Sequence, residues 1–343
     1  MDTLVDDIGS FPLPAGIKRD DYAKAYEAAR EAITKGQDPT SSQFVKKTFY
    51  DTVVESFKKK LATGLDVVNF PQHFSGLRQV GDAIHEAMAA GSFVVPKEKA
   101  FLPEVYVLNR EAKQLSEEFG RKIQLRISLF GPLEQYLNEV GATAYPDVLE
   151  GFAETINRFA KSTILNNKYI ETTVVSIDEP SLGHSSFSGT PELIRKTLEK
   201  AYDFQGPTKQ IHLHFASAIH DLLSVEGLDV VSFEYAASPK NIGSVSKAML
   251  EEADKQIRVG IARTDIDAIW AELYEKGVTE PTAEQLVEPL EVIKKRYAFA
   301  KEKYGEKMTF TGPDCGLGSW PSQDAAALVL ERAVKAAKKS EPL

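Results

Sequence analysis

Three side chains that could share a metal ion stand directly after short apolar runs: His214 in IHLHFAS, Glu234 in SFEYAAS and Cys315 in TGPDCGLGS. One nitrogen, one oxygen and one sulfur make a mixed donor set that suits tetrahedral Zn²⁺ with a position left open for a reacting group. They lie 20 and 81 residues apart, so no compact ligand motif unites them, and only a fold that gathers the ends of distant strands could do so. His212 lies two residues before His214, on the same face of an extended chain, as a supporting partner or substitute ligand. Other polar groups follow apolar runs in the same way: Ser10 in IGSFP, Asn69 and Gln72 in VVNFPQHF, Gly131 and Pro132 in LFGPLEQ, and Arg263, Asp265 and Asp267 in GIARTDID. In SIDEPSLG, Asp178 and Glu179 are adjacent, so in a continuing strand they face opposite ways and at most one reaches a common site. That one could bind a ligand ammonium group, while the other caps the following segment or faces water. Each residue alone has a structural reading: glutamate as salt-bridge partner, lone cysteine as small buried hydrophobe, histidine as packing. Their convergence after nearly every apolar run is what points to a site. His73, His85, His184 and His220 are expected at the surface or in packing.

The elements that must position these groups are legible as short β-branched runs alternating with longer stretches of helical periodicity. The runs predict strands at Leu4–Ile8, Leu65–Phe70, Ile123–Phe130, Thr172–Ile177, Gln210–His214, Val230–Phe233, Ile257–Ile261 and Met308–Thr311. Helices are expected over Asp21–Thr34, Ser42–Leu61, Asp147–Leu165, Pro191–Phe204, Asn241–Lys255 and Ala283–Lys303, all rich in Ala, Glu, Lys and Leu. Eight such units, with no glycine-rich dinucleotide turn after the first strand, favour a closed (β/α)₈ TIM barrel over an open doubly wound sheet. A parallel barrel carries its active site at the C-terminal ends of its strands, where the polar groups above fall. The segments Asp20–Phe57 and Pro71–Val107 are long for simple crossovers and are expected to add helices over one barrel end. With no tandem repeat or linker, residues 1–343 read as a single domain.

The chain has 343 residues, of which 43% are hydrophobic and 27% charged, as in a folded soluble protein. No apolar run is long enough to span a bilayer, and the acidic start MDTLVDDIG is unlike a secretory signal, so neither membrane nor export is expected and the protein reads as cytoplasmic. A formal charge of −9 and no concentrated basic face argue against a nucleic-acid partner. One cysteine excludes an internal disulfide framework.

Taken in order, IGSFP, the GP after the third strand, IDEPSL, IHLHF, VVSFEYAAS and PDCGLGS resemble the C-terminal, catalytic half of cobalamin-independent methionine synthases over essentially the whole chain. The resemblance implies a TIM barrel and a zinc-dependent methyl transfer to the thiol of homocysteine, giving methionine. It implies zinc ligands at His214, Glu234 and Cys315, amino-acid backbone contacts from Ile8, Gly9 and Ser10, and an ammonium contact from Asp178. The chain departs from the family at three positions. Ala216 stands where an H-x-C motif has its cysteine ligand, Gln72 where a glutamate helps hold the substrate amino group, and Asp267 where a proton-transfer histidine stands, which makes Asp267 the candidate catalytic residue. Short single-barrel relatives imply a methylated corrinoid protein or methylcobalamin as donor rather than folate. Alternatives are a coenzyme M-type thiol transferase, a non-catalytic barrel binding a small thiol or corrinoid protein, and a uroporphyrinogen-decarboxylase-like enzyme. With Ala216 lacking a donor atom, the expected centre has three protein ligands, its fourth position going to water or substrate sulfur ahead of His212.

Overall fold

Strands β1 (Leu4–Val5), β2 (Val68–Asn69), β3 (Ile123–Phe130), β4 (Ile170–Asp178), β5 (Thr208–Leu213), β6 (Val230–Phe233), β7 (Gln256–Ala262) and β8 (Met308–Pro313) pair in parallel in the order β1-β8-β7-β6-β5-β4-β3-β2. A parallel bridge between Asp6 and Val67, with the Val5 carbonyl accepting from the Asp66 amide at 2.9 Å, joins the two outer strands and closes the ring. The computed structural model describes residues 2–184 and 187–338. It bears out the expected TIM barrel and all eight strand positions. The first two strands are shorter than expected because their ladders give way at once to loops that carry site residues.

Helices cover the outside, and their starts follow local chemistry. Pro103, Pro132, Pro146 and Pro191 occupy first-turn positions where no N–H is needed, and Ser75, Thr190 and Ser322 accept from amides of the turns they begin. The helix Pro146–Ser162 buries Leu149, Phe152, Ile156 and Phe159 at a spacing of three to four, the stripe that seats it on the sheet. Three expected helices are interrupted. The stretch Ser42–Leu61 contains a π-turn at Lys46–Tyr50, Asn241–Lys255 shortens to Lys247–Glu252, and Ala283–Lys303 breaks before Pro289, which has no N–H to continue the first segment. The long segments after β1 and β2 carry the extra helices Arg19–Thr34, Asp51–Ala62, Gly76–Ala89 and Pro103–Glu118. Among the described residues, no helix is long and apolar enough to cross a membrane.

Inside the barrel the alternation of each strand stacks side chains in layers. At the bottom Val67, Val174, Val230 and Phe310 form their own apolar cluster. Above it the odd-numbered strands contribute Arg126, Gln210 and Arg258, joined by Asp6 from just after β1. Arg126 donates to Asp6 Oδ2 and to Gln210 Oε1, each at 2.6 Å, and Arg258 Nε donates to Asp6 Oδ1 at 2.6 Å. All four are fully buried. Two positions beyond the apolar plug, β4, β6 and β8 supply Ser176, Ser232 and Gly312, and a Cβ on Gly312 would collide with the Asp6 carbonyl and crowd Arg258. Small side chains there make room for two guanidinium groups.

Two buried arginines sharing one carboxylate lose most by losing the carboxylate, since unpaired buried charge is costly. Asp6→Asn keeps the shape and removes the charge. It should lower the unfolding free energy by about 3–5 kcal/mol in urea titrations, and a change under about 1 kcal/mol would show that the arginines find other partners.

Candidate metal centre and its cavity

β5 ends at Leu213 and sends His212 inward and His214 to the rim, two residues on, as the alternation requires. Glu234 follows the last residue of β6, and Cys315 stands two residues after β8. One donor atom each from His212, His214, Glu234 and Cys315 lie within 4.8 Å of one another. His214 Nε2 is 3.6 Å from Cys315 Sγ and 3.5 Å from Glu234 Oε1. The barrel therefore brings together the three expected ligands and adds His212, ranked behind water and substrate on sequence grounds.

Two observations fit this group to a cation. His212 is buried, its Nδ1 is 3.5 Å from the Ser232 hydroxyl, and its Nε2 has no hydrogen-bond partner among the described residues. A buried ring nitrogen without a partner is costly unless its lone pair is used. Burial first, then His214, Arg258 and Arg126, hold the His212 ring well below the ordinary histidine range, so that lone pair is free. Glu234, in turn, has no lysine or arginine paired with it among the described residues, and burial with the nearby Asp314 and Asp265 pushes its carboxyl up to about 8. Burial and Glu234 likewise push the Cys315 thiol up to about 12. Acids without a counter-charge beside a free imidazole suit a divalent cation, which favours carboxylate and thiolate alike. The set of two nitrogens, one oxygen and one sulfur is within the range zinc accepts.

Asp314 places part of this group. Its buried carboxylate accepts the amides of Tyr235, Ala236 and Ala237 at 3.0, 3.0 and 2.6 Å, fixing the loop that begins at Glu234. Burial raises Asp314 to about 6 against the pull of those amides. Ala216, where the resemblance calls for a cysteine, is buried and offers the centre no donor atom.

Three of the four donors, His212, His214 and Cys315, open on a cavity of about 530 Å³ lined also by Ile8, Gly9, Ser10, Gln72 and Asp178, with Phe11, Leu13, Phe130 and Pro180 as apolar wall. Asp178 accepts from the Ser176 hydroxyl at 2.5 Å, and burial lifts it to about 6 despite the opposing Arg126. Its neighbour Glu179 turns away and accepts the amides of Leu133 and Glu134 at 3.0 and 2.7 Å, capping the helix Pro132–Glu139. The adjacent acids thus divide: one faces the cavity and the other caps a helix of the preceding βα unit, not the segment that follows it. A Cβ on Gly131 would collide with the Glu179 carboxylate, which accounts for glycine there. Ser10 Oγ accepts the Gly318 amide at 3.1 Å, and Gly9 turns at φ +57°. Gln72 donates to Gln79 at 2.7 Å, and Gln79 to the fully buried Glu104 at 2.8 Å.

Asp267, the candidate catalytic residue, is exposed on the first turn of the helix Ile266–Glu275 and is not among the cavity-lining residues. Asp265 is the acid of that segment whose charge reaches Glu234. His73, expected at the surface or in packing, lines the cavity and bridges the Phe11 carbonyl and the Ser56 hydroxyl, each at 2.9 Å.

Fold and site together define a parallel (β/α)₈ barrel with a candidate metal centre at the C-terminal end of its strands. No protein-family model matches the chain, and no curated protein matches it by sequence. Among solved structures it is similar to a B12-independent methionine synthase from Shewanella sp. W3-18-1 in complex with selenomethionine, with a TM-score of 0.59 at 15% identity over 98% of this chain and 97% of that one. The homocysteine methyltransferase MmuM from Escherichia coli aligns over 97% of this chain and 96% of that one, with a TM-score of 0.45 at 7% identity. At such identities the likeness to the synthase concerns the fold.

Glu104 supplies a pH test of the buried network behind Gln72. Burial lifts it from 4.5 to about 8, so the folded state keeps a proton that the unfolded chain releases above its ordinary value. Stability from this group therefore falls as pH rises from 4.5 to about 8. Glu104→Gln cannot ionise, so its stability relative to the wild type should increase between about pH 5 and about pH 8 in denaturant titrations. A difference that stays flat or falls would contradict the raised value.

Proposed function

We propose that the chain is a zinc-dependent thiol S-methyltransferase that makes methionine from homocysteine, with a methylated corrinoid protein or methylcobalamin as donor. The observation that carries this reading is the meeting of four metal-type donors beside a cavity that is also lined by Ser10, Gln72 and Asp178. His214, Glu234 and Cys315 would hold the zinc ion, its fourth position shared between His212 and the substrate thiol, which the bound ion would ionise and keep nucleophilic at neutral pH. The family resemblance read from the motifs supports the same substrate and suggests the donor.

The chain's own residues bind and orient the amino acid. Asp178 pairs with the α-ammonium, which satisfies a carboxylate that burial otherwise destabilises. Ser10 Oγ accepts from Gly318 and so has its O–H free to donate to the ligand carboxylate. Phe11, Leu13, Phe130 and Pro180 exclude water from the aliphatic part. The second reading, a barrel that binds a small thiol without zinc chemistry, is favoured by Ala216, a methyl group where the resemblance calls for a thiol.

Metal retention separates the two. Loaded with zinc under reducing conditions and desalted, the wild type should keep about one equivalent and Cys315→Ala essentially none. Retention by Ala216→Cys alone would instead establish the second reading. In calorimetric titrations Asp178→Asn should keep its zinc while binding methionine roughly tenfold more weakly. A wild type that gives no heat with methionine at millimolar concentration would dispose of the amino-acid substrate.

A further inference from the structure

Behind the cavity wall lies a row of three buried side chains, Gln72, Gln79 and Glu104, that the chemistry above does not use. Gln72 Nε2 donates to Gln79 Oε1 at 2.7 Å, and Gln79 Nε2 donates to Glu104 Oε1 at 2.8 Å. The three residues are no more than 6% exposed, so water does not compete for these bonds. An amide can stand either way round, and its partners decide which. Here they decide in one direction. Glu104 Oε1 accepts, the hydrogen that burial keeps on this carboxyl being on Oε2, so Gln79 turns its NH₂ to Glu104 and its oxygen to Gln72. Gln72 must then turn its own NH₂ inward, where the Ser128 carbonyl takes a second, long contact at 3.5 Å. Reversing the row would also set Gln72 Oε1 against that carbonyl, oxygen to oxygen, so this long contact favours the direction that the shorter bond to Glu104 imposes.

What remains of Gln72 is its oxygen. Among the described residues Oε1 has no donor, and it points past Gly9, where a Cβ would stand only 3.3 Å away; both residues line the cavity. We propose that Glu104, acting through Gln79, is a positioning residue that locks the Gln72 amide with its oxygen toward the cavity, making it a second acceptor, beside Asp178, for a cationic group of the ligand. The proposal rests on the amino-acid reading above, in which that group is the α-ammonium. A neutral amide with a fixed orientation contributes an acceptor without adding a further negative charge to the cavity. An amide free to flip would offer NH₂ to the ammonium half the time and repel it.

The test compares L-methionine with its des-amino analogue, 4-(methylthio)butanoate, in calorimetric titrations of the zinc-loaded protein. Glu104→Leu removes the anchor at similar volume and should weaken methionine binding roughly tenfold while leaving the des-amino acid within about twofold. Glu104→Gln, whose carbonyl can take the same bond, should hold methionine within about threefold. Gln72→Glu placed on Glu104→Leu should restore methionine binding, because a carboxylate is an acceptor in either orientation and the freed Gln79 can turn its NH₂ toward it. Where Glu104→Leu does not fold, Gln79→Met breaks the row in the middle and should give the same discrimination. Equal losses for both ligands, or an unchanged ratio, overturn the positioning role while leaving the amino-acid reading intact. A wild type that binds neither ligand overturns that reading and this proposal together.

Discussion

Asp6 sets the terms for the barrel interior. Its two oxygens are each taken by a buried guanidinium, one from β3 and one from β7, across a ring most barrels fill with branched apolar side chains. Buried charge of this kind persists only when geometry and hydrogen bonding are nearly complete. Several features follow from that demand: the apolar plug beneath, the serines and glycine above that make room, and Gln210 as a further acceptor. The arginines also act upward, since their charge helps keep His212 neutral and opposes the burial that raises Asp178. The floor of the cavity is thus electrostatically prepared by residues that do not line it.

Around the mouth, position is governed by backbone amides held by carboxylates. Asp314 gathers three amides after β6 and Glu179 two at the start of a helix, so two acids that could have been read as reactive are structural. Glycines permit the close approach: Gly131 beside Glu179, and Gly316 and Gly318 against Ser10. The acids left to face the cavity or the donor cluster, Asp178 and Glu234, are the ones with no backbone amides to neutralise them.

Much of this was legible in the sequence because barrel geometry turns position along a strand into position in space. His214, Glu234 and Cys315 could be grouped from the single fact that each follows an apolar run. The strand limits of β3 and β6 needed no correction, whereas β1 and β2 did, since a two-residue ladder leaves too short a hydrophobic period to read. His212 ranks low in a linear reading because same-face neighbours stand about 7 Å apart along a flat strand, whereas in the barrel the two rings approach to 5.5 Å between centroids and their donor atoms converge. Arg126 and Arg258 carried a signal that was passed over: IQLRISLF and IRVGIA each hold an arginine inside a run otherwise too apolar to face water. Gln79 and Glu104 carried none, as polar residues on amphipathic helices ordinarily face solvent. The placement of Asp267 followed from resemblance rather than from spacing, and in the barrel it is Asp265 that lies nearer the centre.

The Asp6 pairing also bears on how the chain is made. Asp6 is made well before its partners, which follow 120 and 252 residues later, and β1 finds its ladder partner only in β8. Contacts so distant in sequence close slowly. During vectorial synthesis β1 and the hydrated Asp6 carboxylate must therefore wait until β8 has emerged. Ring closure is a late event, and the apolar edges of β1 and β2 are the surfaces a nascent-chain chaperone would need to shield in the interval.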